Sequence, residues 1–139
     1  MAQRFVHDVV LRWSDMDAYG HVNNARFLTL YEEARVAMFF VGARAAGLAS
    51  FEEGIVIARH EVDYLRPVDY GDPVRIEMWV SSLRAAAFTV DYEMFDGAVL
   101  ASRARSVCVP YNLANAHPRR LTAPERDFLS PYLAETESM

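Results

Sequence analysis

The run NARFLTLYEEARVAMFFVGARAAG, residues 24–47, decides the fold. Phe27, Leu30, Tyr31, Ala34, Ala37, Met38 and Val41 recur at three- and four-residue steps, the spacing that lines one face of an α-helix. Arg26, Glu32, Glu33 and Arg35 fill the other side and read as a solvated face. Asn23 or Asn24 is the natural N-cap. Gly47, following Arg44 in the last turn, is a stop, with Gly42 an earlier one. Phe39 and Phe40 fall toward the weaker side, so the second half of the helix is expected to be covered nearly all round. A helix this apolar needs a sheet wrapped about it.

The flanking sequence supplies that sheet. Upstream, Phe5, Val9, Leu11 and Trp13 alternate with Asp8 and Arg12, which predicts a half-buried strand over Phe5 to Trp13. Downstream, Ile55 to Leu65 reads as a strand ended by Arg66-Pro67. Val74, Ile76, Met78 and Val80 alternate with Arg75, Glu77, Trp79 and Ser81. Phe88, Val90, Tyr92 and Met94 alternate with Thr89, Asp91 and Glu93. Ala98 to Val109 is a last long strand. For the turn at Asp96-Gly97, a three-residue loop pairs Met94 with Ala98, Tyr92 with Leu100 and Phe88 with Ala104, apolar on apolar, with Gly97 at positive φ in a G1 bulge. Thr122-Ala123-Pro124-Glu125 is a capping box opening a short helix to about Leu133, and Glu135 to Met139 reads as tail. One strand, a long helix, then consecutive antiparallel strands make an α+β domain spanning 1–139. Such a sheet leaves a long edge strand, which is normally covered or paired with another subunit.

Composition narrows the chemistry. The 139 residues are 53% hydrophobic and 24% charged, with a formal net charge of −5, a balance not built to coat nucleic acid or an anionic membrane. All 14 basic residues are arginine. Absence of lysine excludes Schiff-base enzymes and the P-loop lysine. A single cysteine, Cys108, excludes an internal disulfide and a cysteine metal cluster and fits a reducing compartment. No apolar leader or membrane-length run is present, so a cytoplasmic location is expected. His7, His21, His60 and His117 lack metal-ligand spacing. No Gly-x-Ser-x-Gly elbow marks a serine hydrolase.

The densest polar stretch, Arg12 to Asn24, links the first strand to the helix. It places Asp15, Asp17, His21, Asn23 and Asn24 just ahead of a helix N-terminus, whose unpaired N–H groups carry partial positive charge. A carbonyl aimed there finds an oxyanion site, and a neighbouring carboxylate can activate water or attack directly. Asp15 reads as a bond to the loop backbone, His21 as ordering the loop, and Asn23 as the cap. Arg66 and Arg84, at strand ends, are candidates for phosphate contact, as is Arg119-Arg120. His60 reads as a satisfied core or interface histidine, and Cys108 as a small buried hydrophobe.

Arg12-Trp13-Ser14-Asp15-Met16-Asp17, Gly20-His21-Val22-Asn23-Asn24 and Tyr31-Glu32-Glu33-Ala34-Arg35, followed by Tyr64-Leu65-Arg66-Pro67-Val68 with Gly71-Asp72, closely resemble the motifs of the 4-hydroxybenzoyl-CoA thioesterase-like hotdog family. The resemblance runs from about Phe5 to Val109. It implies a hotdog fold, with one central helix wrapped by a curved antiparallel sheet of about five strands and a short C-terminal helix. It also implies hydrolysis of an acyl-CoA thioester at a site between subunits of a homodimer or homotetramer, without metal or redox cofactor. Asp17 takes the place of the catalytic carboxylate, as nucleophile or general base. Asn24 takes the place of the backbone oxyanion donor. Gly20, His21, Val22, Asn23, Tyr31, Arg66 and Arg84 are carried over as substrate-binding positions, and Phe27, Tyr31, Met38, Val56 and Tyr64 are candidates to line the acyl pocket. Two other readings share these residues: an enoyl-thioester hydratase or dehydratase using Asp17 and His21, and a non-catalytic acyl-CoA binder.

Overall fold

A computed structural model describes residues 3–134. Strand β1 (Phe5–Val9) leads through a 3-10 turn to helix α1 (Asn24–Val36). The helix continues through a π-helical stretch, Ala37–Gly42, into α2 (Ala43–Ala45) and stops at Gly47. Strands β2 (Ile55–Tyr64), β3 (Val74–Leu83), β4 (Phe88–Asp96) and β5 (Val99–Asn112) follow, then the two-residue β6 (His117–Pro118) and α3 (Ala123–Leu129). The sheet order is β1-β3-β4-β5-β2, with β6 on β5, and every neighbour is antiparallel. β2 is therefore the long edge anticipated from the sequence.

Alternation sets the two faces of the sheet. Val74, Ile76, Met78 and Val80 of β3 and Phe88, Val90, Tyr92 and Met94 of β4 are buried against Phe27, Leu30, Tyr31, Ala34 and Met38 of the helix. Each such side chain contributes roughly 1.5–3 kcal/mol on leaving water. The opposite face carries ion pairs, among them Arg4–Glu93 and Arg105–Asp91. The extra residue in the π-helical turn rotates Phe39 inward beside Met38 and leaves Val41 outside. The second half of the helix is thus not covered all round, since Val36, Phe40 and Val41 are 42%, 40% and 67% exposed.

Other expectations are corrected. β1 ends at Val9, and Trp13 lies in the 3-10 turn with its side chain in solvent, because Asp15 caps that turn and pulls the chain out of the sheet. β5 runs past Pro110, whose missing N–H costs nothing to the pairing of Tyr111 and Asn112 with β6. The β4–β5 hairpin pairs Asp96 with Val99, Met94 with Ser102 and Phe88 with Cys108. The loop is Gly97-Ala98, with Gly97 at φ +62 in the first loop position, where a type II′ turn favours glycine. The extra residue sits at Ala101, not at the turn. Arg35 is buried on the sheet side of the helix, where its Nη1 donates to the Tyr92 hydroxyl at 2.9 Å. The capping box at Thr122 and Glu125 forms as read, while the Glu135 to Met139 stretch lies outside the described residues.

Candidate active site

The loop between β1 and α1 is folded on its own polar groups. Arg12 donates its N–H to Asp15 Oδ2 at 2.9 Å, and Asn23 donates its N–H to the Asp15 carbonyl at 2.8 Å. Asp17 N–H bonds the His21 carbonyl at 2.7 Å, and Gly20 N–H bonds the Asp17 carbonyl at 3.2 Å. The tight return between these residues requires φ +80 at position 20, which glycine adopts without a Cβ penalty. Val22 N–H then bonds the Val68 carbonyl at 2.8 Å, which fastens the loop to the β2–β3 connection.

This folding orients the Asp17 carboxylate. Its Oδ1 accepts from the N–H groups of Tyr19 and His21, at 2.8 and 3.1 Å. Its Oδ2 accepts no hydrogen bond among the described residues. Asn23 caps the helix, its side-chain oxygen accepting from Ala25 N–H at 3.0 Å. Because Asn23 N–H goes to Asp15 and Ala25 N–H to the cap, the Asn24 N–H is left without an acceptor among the described residues. It carries the positive end of the helix dipole.

Asp17, His21, Val22 and Asn24 line an open cleft of about 380 Å³. Phe27, Tyr64 and Arg66 line the same cleft. The Phe27 and Tyr64 rings meet edge to face at 5.0 Å, and the Tyr64 hydroxyl donates to the Asn24 carbonyl at 2.9 Å. The sequence-expected residues Asp17, His21, Val22, Asn24 and Arg66 thus come together, and Gly20 and Asn23 support the loop behind them. His21 is turned to Asp69, Nε2 to Oδ1 at 3.4 Å, a partner that nothing local in the sequence announces.

The remaining expected residues lie elsewhere. Tyr31 is buried in the core, its hydroxyl 2.6 Å from Ser102 Oγ and its pKa raised by that burial. Arg84 stands in the β3–β4 turn, roughly 30 Å along β3 from the strand's start beside the loop. Arg119 is held by Glu125 and the Ser50 carbonyl, so its guanidinium is already engaged. His60 Nδ1 meets Ser106 Oγ at 2.7 Å, and its pKa is lowered by burial and by the nearby Arg35. The same Ser106 accepts from the Tyr92 hydroxyl, so His60, Ser106, Tyr92 and Arg35 form one hydrogen-bonded chain. Sequence reading placed none of these four together, because the chain joins β2, β5, β4 and α1. Among the described residues no group of three or more His, Cys, Asp or Glu is arranged to hold a metal ion. No helix there is long and apolar enough to cross a membrane.

A central helix packed on an antiparallel sheet of this strand order, with an acidic loop at the helix start, is the hotdog architecture. A family model for the thioesterase-like superfamily matches residues 11–131, and the chain belongs to that superfamily. It is similar to a predicted thioesterase from Bacillus stearothermophilus, with 25% identity and a TM-score of 0.84 over 97% of this chain and 100% of that one. A thioesterase from Thermus thermophilus, solved with coenzyme A and zinc, shares 30% identity with a TM-score of 0.75 over 89% of this chain and 90% of that one. A 1,4-dihydroxy-2-naphthoyl-CoA hydrolase of Synechococcus elongatus is 37% identical over 90 residues, 61% of this chain and 65% of that protein.

Proposed function

We propose that this protein hydrolyses an acyl-CoA thioester to the free acid and CoA, with Asp17 and the Asn24 N–H as the reacting pair. One observation carries the reading: a carboxylate oxygen with no hydrogen-bond donor and a helix N-terminal N–H with no acceptor, among the described residues, belong to Asp17 and Asn24, which line the same cleft. The thioester carbonyl oxygen is placed against the Asn24 N–H, where charge developing on it is stabilised. Asp17 Oδ2 either attacks the carbonyl carbon, expelling CoA thiolate and leaving an anhydride that water cleaves, or takes the proton from the attacking water. Both routes consume one water and give carboxylate and CoA. The thiolate needs less protonation than an amine would, so the absence of a dedicated acid beside Asp17 is tolerable.

His21 leans on Asp69 and not on the Asp17 side chain, which favours hydrolysis over a proton shuttle of Asp17 and His21 on an enoyl thioester. Gly20 and Asn23 are proposed to shape the site, and Arg66 to meet the phosphates of CoA. The exposed edge of β2 ends at the cleft, which supports a site completed by a second subunit of a homodimer or homotetramer. Arg84 would then act on substrate only if assembly brings it there, whereas Tyr31 is enclosed in the core with its hydroxyl on Ser102 and supports the fold. The paired rings of Phe27 and Tyr64 suit a flat acyl group, and the named activity of the Synechococcus relative points the same way. The test is free-thiol release from a panel of aliphatic and aromatic acyl-CoAs by wild type and Asp17→Asn. The variant is expected to fold and bind substrate with turnover at least about a hundredfold lower. Activity retained in Asp17→Asn, or loss of enoyl absorbance without thiol release, would sink the reading.

A further inference from the structure

Resting on the hydrolase reading, we propose that Tyr64 is a positioning residue: its hydroxyl, bonded to the Asn24 carbonyl, sets where the oxyanion-binding N–H stands relative to Asp17. Leu65 and Arg66 follow directly on the end of β2. Leu65 and Arg66 both donate their N–H groups to the carbonyl of Ala101, at 2.9 and 3.1 Å. Ala101 is the bulged residue of β5, skipped in the pairing with β4, and its carbonyl takes both N–H groups of the departing chain. The segment from Tyr64 to Val68 is thereby anchored on the sheet. From that anchor it reaches the two halves of the site. Val68 accepts the Val22 N–H at 2.8 Å and so holds the loop that carries Asp17. Tyr64 donates its hydroxyl to the Asn24 carbonyl at 2.9 Å and so holds the first turn of the helix.

First turns are where helices fray, because their N–H groups lack intrahelical acceptors. A second donor on the Asn24 carbonyl opposes that fraying at the residue whose own N–H faces the cleft. The Tyr64 side chain is itself about half exposed, at 48%, so burial alone does not account for its placement. The hydroxyl bond and the edge-to-face contact with Phe27 fix it.

Tyr64→Phe separates these two contacts, since it keeps the ring and removes the hydroxyl. Because a misplacement of 1 Å can cost about a hundredfold, a smaller drift of the Asn24 N–H is expected to lower kcat about tenfold, with KM changed less than about twofold. The loss should be the same for small and bulky acyl groups, because it acts at the carbonyl, and the midpoint of thermal unfolding should move by less than about 2 °C. Steady-state thiol release on at least three acyl-CoAs, with thermal unfolding of both proteins, is the measurement. Unchanged kcat would overturn the proposal. So would a loss that varies with the acyl group, which marks Tyr64 as pocket wall alone, or a loss matched by a fall in stability, which marks a general structural role. Wild type that releases no thiol from any acyl-CoA would overturn the hydrolase reading itself, and the Tyr64 role with it.

Discussion

Asn23 donates its backbone N–H to the carbonyl of Asp15 across the mouth of the β1–α1 loop, at 2.8 Å. The Asp15 side chain simultaneously takes the Arg12 N–H at 2.9 Å, so one buried residue closes the loop at both ends. The other Asp15 oxygen is buried without a partner among the described residues, which keeps the net value of the arrangement modest. Asp15→Ala is expected to cost roughly 1–3 kcal/mol, read by urea unfolding, and to lower turnover because the carbonyl that supports Asn23 is no longer held in place by the side-chain bond to the Arg12 N–H. Unaltered stability would show that the Asp15 side chain does not hold the loop.

Position 20 tests the loop from its other side. A Cβ built on Gly20 meets no atom within 4 Å, so a substitution there pays only for the φ of +80. Gly20→Ala should cost about 1 kcal/mol. It should reduce kcat more than stability, because the turn it strains is the one that aims Asp17 Oδ1 at the Tyr19 and His21 amides. A variant with wild-type kcat and lowered stability would separate the turn from catalysis.

What could be read in advance followed the range of the interaction. Asp17, Asn23 and Asn24 are placed by bonds spanning a few residues, and their arrangement was legible from the loop and the cap. The β4–β5 pairing was not. Hydrophobic alternation fixes which face a residue occupies, but a four-residue slip keeps every face and changes every partner. Phe88 therefore lies opposite Cys108 and not Ala104, with Ala101 absorbing the bulge. Arg35 reads as solvated by residue type, yet it is buried because Tyr92, far along the chain, offers it a hydroxyl. Trp13 reads as part of a strand face, yet stands outside because Asp15 ends the alternation. Asp69 reaches the site from the β2–β3 connection, and no local pattern reports that approach; Tyr64, the last residue of β2, was expected at the pocket, but its bond to the Asn24 carbonyl was not.

Cys108 faces Phe88 across the sheet and is fully buried, with its thiol pushed up to about 12 by that burial. A thiolate is the reactive form, so the native protein should not react with a disulfide reagent at neutral pH. One equivalent should react on unfolding in urea. Rapid labelling of the native state would contradict the buried placement of β5. The expected silence also leaves the thiol-release assay free of background from the protein.

Glu125 ties the C-terminal helix to the body of the fold. Arg119 Nη1 and Nη2 each bond one of its carboxylate oxygens at 2.8 Å, Ser50 Oγ donates at 2.7 Å, and the Thr122 N–H donates at 2.8 Å. Burial alone would raise its pKa, but the bonds from Arg119, Thr122 and Ser50 outweigh it and bring the value from 4.5 down to about 2. A carboxylate with a depressed folded-state pKa stabilises the fold above its unfolded value and loses that contribution as the pH falls through the folded one. The window here is therefore pH 4.5 to about 2, with full benefit at neutral pH. A shift of this size corresponds to about 3 kcal/mol as an upper figure. Urea unfolding followed from pH 6 down to 2 should show stability falling across that window. Glu125→Gln, which keeps the shape but not the charge, should be less stable at neutral pH and show a shallower fall. A variant with the same slope as wild type would mean that other carboxylates, and not the Glu125–Arg119 pair, carry the acid sensitivity.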